Sequence, residues 1–134
     1  MSQIKVPVSF GELIDKITIL EIKSERIRDD AKLANVANEL RALNAAWSAN
    51  EQAGTDIASQ KAQLKTINAK LWDIEDQIRM QESRGEFGQE FIDLARAVYL
   101  TNDERAAVKR EINTLLGSDL VEEKSYADYH RGQC

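Results

Sequence analysis

The chain has 134 residues, of which 31% are charged, a net charge of −5 and one cysteine. That length suits a single domain with a genuine core. The acidic balance excludes the broad basic face that nucleic acid or an anionic membrane surface requires, and a lone thiol, Cys134, excludes an intrachain disulfide and a cysteine metal cluster.

Glycine (6 residues) and proline (1 residue) are scarce, aromatics make up 6% of the chain, and the bulk is rich in helix formers. No stretch approaches the ~20 apolar residues of a membrane span. The opening MSQIKVPVSF lacks the apolar region of a secretory leader. The composition reads as a cytoplasmic protein with one helical domain over residues 1–134.

Residues 1–8 are extended. Ile4, Val6 and Val8 alternate and Pro7 keeps helix from starting before it, so the segment is expected as a short strand or as a strap lying on the core. Ser9 and Glu12 form an S-x-x-E capping box that opens a first helix running to about Asp29. Leu13, Ile17, Leu20 and Ile27 make one apolar stripe on it, and Ile19 and Ile22 lie nearly opposite. Two apolar faces predict a helix sandwiched between partners.

A second helix is predicted over residues 31–52, with Leu33, Val36, Leu40, Leu43 and Trp47 in steps of three and four. Gly54 breaks it, and Thr55 or Asp56 can cap the next. The third helix is predicted over residues 56–84. Its seam is Ile57, Gln60, Leu64, Ile67, Leu71, Ile74, Ile78 and Gln81, and its length is roughly 42 Å. A short glycine-containing turn between two seamed helices predicts that they pair as an antiparallel coiled-coil hairpin.

A shorter fourth helix is predicted over residues 86–100, carrying Phe87, Phe91, Leu94, Val98 and Tyr99. Thr101 and Glu104 read as a second capping box that opens a fifth helix, with Val108, Ile112 and Leu115 as its stripe and Gly117 as its stop. Val121, Tyr126 and Tyr129 predict partial docking of the tail 118–134, with the final HRGQC frayed. Trp47 is expected in the core, and Trp72, one residue past the seam, is expected to be buried as well.

Catalytic signatures are few. His130 is the only histidine, close to the chain end, which argues against a histidine-based triad and against a ferritin-like di-metal site. HExxH, CxxC, Walker and GxGxxG motifs are missing from the sequence. The richest constellation is LTNDERAAVKREIN, where Asn102, Arg105, Lys109 and Asn113 share one narrow sector of a helix. Such a sector could hold a carboxylate or phosphate. The plainer reading pairs Arg105 and Lys109 with acids such as Asp15 on the first helix or Glu122 and Glu123 in the tail. These seven residues are the candidate ligand-binding set. The sequence implies no catalytic residue, no metal and no cofactor.

Three segments, VPVSFGELIDKITILEIKSERI, LARAVYLTNDERAAVKREINTLLGS and LVEEKSYADY, together resemble a family of short bacterial helical proteins known only as a domain of unknown function. The resemblance spans nearly the whole chain and is least distinctive over residues 33–84. It implies the fold and a bacterial source, and it implies no chemistry. IDKITILEIKSERI also resembles the first helix of all-helical chorismate mutases, but Lys16, Lys23, Arg26 and Arg28 fall on differing faces and the later chain departs from that pattern.

The expected fold is an all-α helical bundle, in which a long antiparallel coiled-coil hairpin (helices of about 31–52 and 56–84) projects from a compact helical base. The expected function is a non-enzymatic protein–protein interaction or assembly module that self-associates, most simply as a homodimer, without nucleic acid or membrane. The alternative is a small anionic-ligand-binding or enzymatic site in the base.

Overall fold

The computed structural model describes residues 2–130. Four helices make up the bundle: α1 (Phe10–Arg26), α2 (Asp30–Ser48), α3 (Ala58–Ser83) and α4 (Gln89–Leu116), with a 3-10 turn at Glu51–Gly54. Among the described residues there is no strand. The all-α reading holds. Cys134, and all of the HRGQC tail except His130, lie outside the described residues.

Ser9 caps α1 as its sequence predicts, its hydroxyl accepting the Glu12 N–H at 3.1 Å. The reciprocal half of the box does not form, because the Glu12 carboxylate turns to Lys109 and Lys16 instead. The helix stops at Arg26 rather than Asp29, for Asp29 is needed as the cap of α2, where it accepts the Lys32 N–H at 2.9 Å. Both faces of α1 are buried, Ile14, Ile17 and Leu20 together with Ile22, and the helix packs against α2, α3 and α4. The sandwiched first helix is therefore borne out.

The long hairpin lies one helix later than the sequence predicts. α3 packs closely against α4 and α1, and α2 packs on α1, while α2 and α3 barely approach each other. The heptad on α3 is real, but it is α4 that supplies its antiparallel partner. The reason is the connections. Arg84–Gly88 is a tight turn, in which Gly85 adopts a left-handed φ of 66° and the Gly85 and Glu86 N–H groups close on Glu82 and Gln81. The α2–α3 link is longer and lets α1 occupy the place that α2 would have taken.

The two helices predicted for residues 86–116 are one. Phe91, Leu94, Val98, Thr101, Arg105, Val108 and Ile112 follow one another in unbroken steps of three and four, so the inward-facing row crosses the supposed cap without a change of phase. Thr101 is buried in that seam, 1% exposed, inside the helix rather than at its start. Gly117, φ 64°, ends α4, with the Gly117 and Ser118 N–H groups closing on Thr114 and Asn113.

The core gathers Ile14, Ile17, Ile57, Leu64, Val108, Ile112 and Leu116, with Leu40, Leu43 and Trp47 half-buried against it. Trp47 meets Phe10 edge to face at 6.4 Å, which seats α2 on α1. Trp72 is half-buried rather than in the core. Residues 2–8 are neither a strand nor a strap on the core: Ile4, Val6 and Val8 are exposed, since no second strand is available to pair with them.

Candidate functional site

Where α1 crosses α4, the two helices approach so closely that only glycine fits. A Cβ on Gly11 would stand 2.4 Å from the Lys109 carbonyl oxygen. The Gly11 N–H, one of the first-turn donors a helix cannot satisfy itself, donates to Asn113 Oδ1 at 2.6 Å. This contact fixes the register that brings the polar sector of α4 onto α1.

One turn further along, Asp15 is fully buried. Arg105 grips it with two parallel bonds, Nε to Oδ1 at 2.9 Å and Nη2 to Oδ2. Asn68 of α3 donates to Asp15 Oδ1 at 2.8 Å and to Thr18 Oγ1 at 2.9 Å. Lys109, also buried, lies between three carboxylates: Glu12 at 2.7 Å, Glu122 at 3.1 Å and Asp15 at 3.9 Å. Asn102 accepts a long 3.5 Å bond from Arg105 Nη1.

The structure thus brings together Asp15, Asn102, Arg105, Lys109, Asn113 and Glu122 from the predicted set. Glu123 stays apart, exposed and without an ion pair among the described residues. Asn68, Thr18 and the pairing role of Glu12 were not anticipated. Asn68 had a signal: asparagine is a poor residue for a helix interior unless its side chain has a partner there.

The hydrogen bonds to Asp15 hold the Arg105 guanidinium above its ordinary pKa, outweighing its burial. Burial pulls Lys109 down, but its bonds to Glu12 and Glu122 and the Asp15 charge prevail, so its pKa is raised. The Lys109 bond holds Glu122 below the usual carboxylate range. Each cation of the cluster thus faces carboxylate, and α1, α3, α4 and the tail meet at it.

The tail continues along α4 beyond Glu122. The Tyr129 hydroxyl donates to Asp103, which pushes its pKa up to about 12, and its ring packs edge to face on Tyr99 at 5.1 Å. His130 is exposed, stacks on Tyr129 and bonds Asp128 at 2.7 Å. Among the described residues no group of histidine, cysteine and acidic side chains is arranged to hold a metal, and no helix is long and apolar enough to cross a membrane.

A family model described as a family of unknown function, DUF6165, matches residues 4–130. No curated protein and no solved structure matches the chain.

Proposed function

Because the chain belongs to the DUF6165 family of unknown function, we propose its role from its own residues: a non-enzymatic protein–protein interaction and assembly module of the bacterial cytoplasm that pairs with a second copy of itself. One observation carries this reading. The chain exposes 9344 Å², whereas a compact monomer of 15.1 kDa exposes about 7,100 Å². The excess is larger than the ~800 Å² that each partner buries in a standard interface. The extended ends of the chain carry part of it, and on the α3–α4 arm Met80, Phe87, Ile92, Tyr99 and Leu100 are exposed. A two-helix arm with unburied apolar side chains gains most from the same arm of a second copy, which completes a four-helix arrangement.

Light scattering at high and low concentration tests this. A particle of twice 15.1 kDa is expected. A monomer at every concentration overturns the homodimer.

The alternative, an anionic-ligand or enzymatic site at Asp15, Asn102, Arg105, Lys109, Asn113, Glu122 and Glu123, ranks second. Asn102 and the outer edge of Arg105 border an open groove, which favours it. Against it, Arg105 and Lys109 are already engaged by Asp15, Glu12 and Glu122, so an anion would have to displace a carboxylate that belongs to the chain.

A further inference from the structure

The tail is tied to α4 at two places. At one, Glu122 meets Lys109 at 3.1 Å; at the other, the Tyr129 hydroxyl donates to Asp103 and the Tyr129 ring packs on Tyr99. The tail therefore runs antiparallel to α4, and between the ties it leaves an open groove of about 830 Å³. We propose that this groove binds an organic phosphate with a flat ring, of mononucleotide size. Its phosphate lies between Arg110 and Lys124, and its ring lies against Tyr126 and Tyr129.

The dimensions of the groove fit that ligand. Its volume falls in the range of small-ligand sites, ~300–1,000 Å³. Tyr99 and Arg110, which line opposite ends of it on one helix, are about 16 Å apart along the axis. A single ring with a phosphate attached does not fill that span. Ala106 and Ala107 line the middle from α4. Tyr126, on the tail side, is 81% exposed, so the fold makes little use of its ring. Beside it Tyr129 and His130 are stacked at 4.6 Å, and such rings offer faces on which a base stacks.

The charges are sorted along the groove. Arg110 and Lys124 line its far end, and both also line the adjoining hollow beside Lys109, so the two cations stand close together. Neither has an ion pair among the described residues, and Glu122, the acid at that end, is bonded to Lys109. The acids of the groove, Asp103 and Asp128, lie at the other end, where they accept from the Tyr129 hydroxyl and the His130 N–H. An anion thus finds its counter-charge at one end only. At the opposite end those carboxylates and Asn102 are acceptors that suit the amine and hydroxyls of a nucleoside. Unlike Arg105 and Lys109, the Arg110 and Lys124 cations take up a phosphate without displacing a carboxylate of the chain.

The probe is adenosine monophosphate, titrated into the ¹⁵N-labelled 134-residue chain while the amides of Ala106, Ala107 and residues 122–130 are followed by NMR. Saturable shifts with a Kd of about 0.1–1 mM are expected. Adenosine and inorganic phosphate, each offering half of the contacts, should bind at least about tenfold more weakly. Phenyl phosphate, too short to reach both ends, should also bind more weakly. Arg110→Gln with Lys124→Gln should weaken adenosine monophosphate about tenfold and leave adenosine unchanged. Tyr126→Ala should weaken both about tenfold and leave inorganic phosphate unchanged. All three positions are exposed, so both variants should melt with the parent chain. Adenosine monophosphate binding no tighter than inorganic phosphate, matched by phenyl phosphate, or unaffected by the Arg110 and Lys124 substitutions overturns the proposal.

Discussion

Asp15 on α1 and Arg105 on α4, ninety positions apart, form a two-pronged ion pair around a carboxylate with no exposure to solvent. Arg105→Ala leaves that charge with Asn68 and a distant Lys109 as its only partners. A destabilisation of about 3 kcal/mol is expected in urea melts. Arg105→Lys, which keeps the charge but not the fork, should recover only part of it. A melt of Arg105→Ala matching that of the parent chain would move the ligand reading of this cluster into first place.

Gly11→Ala is expected to be more damaging than its one methyl suggests. The obstruction is the backbone carbonyl of Lys109, which cannot rotate away as a side chain would. Relieving it requires α1 and α4 to separate, which strains the Asn113 and Asp15 contacts alike. A loss of about 2–3 kcal/mol is expected, read as a lower urea midpoint. Gly54→Ala, where a Cβ meets nothing within 4 Å, serves as the control and should stay within about 0.5 kcal/mol.

Docking of the tail depends on pH through Glu122 and Lys109. The Glu122 pKa is depressed from 4.5 in the folded chain. Its contribution is therefore present above that ordinary value and is lost as pH falls through the folded value. Lys109 is raised above 10.5, so its contribution is present below that value and is lost only as pH rises through the higher folded one. Neutral pH thus lies inside the window of both. Amide exchange in residues 118–126 should accelerate as pH drops below about 4.5, after correction for intrinsic rates. Glu122→Gln should show that faster exchange already at neutral pH. Equal protection in both chains at neutral pH would show that the tail is held by Tyr129 alone.

Helix content and the polar sector of α4 were readable because each depends on local spacing. Positions 102, 105, 109 and 113 share a face whatever they pack against, and acids on the first helix and in the tail were their nearest complements. The choice of partner for α3 was not readable in the same way. Its seam can pair with any helix that carries the same three-and-four spacing, and both α2 and α4 do. The Thr101–Glu104 box misled for a related reason. A cap is a cap only where the helix before it ends, and nothing between Gln89 and Leu116 stops this one. Asn68 shows what spacing cannot supply: its partners, Asp15 and Thr18, are about fifty positions away on another helix.

The pairing of α3 with α4 can be checked by cross-linking. Gln60 and Glu111 touch at 3.2 Å on the hairpin surface. With Cys134→Ser as background, Gln60→Cys with Glu111→Cys should be bridged within the chain by a short bifunctional thiol cross-linker, since the two native side chains meet at their tips. Gln60→Cys with Arg41→Cys, which bridges α2 and α3, should not. Efficient closure of the second pair would restore the α2–α3 hairpin.

The two leucines of the α3 seam should respond differently to truncation, although their spacing makes them equivalent. Leu64 has no exposure and belongs to the cluster that joins α1, α3 and α4. Leu71 sits one heptad further on, is only half-buried, and lines the open groove beside Trp72. Leu64→Ala removes side-chain volume from a site enclosed on all sides and should cost about 3–5 kcal/mol. Leu71→Ala only enlarges a groove that solvent already reaches, so little new cavity is enclosed. Its cost should stay near the transfer term alone, about 1–2 kcal/mol. Urea titration of both variants measures the difference. Equal losses would mean that the groove is closed in solution, and that a copy of the arm or another occupant covers Leu71.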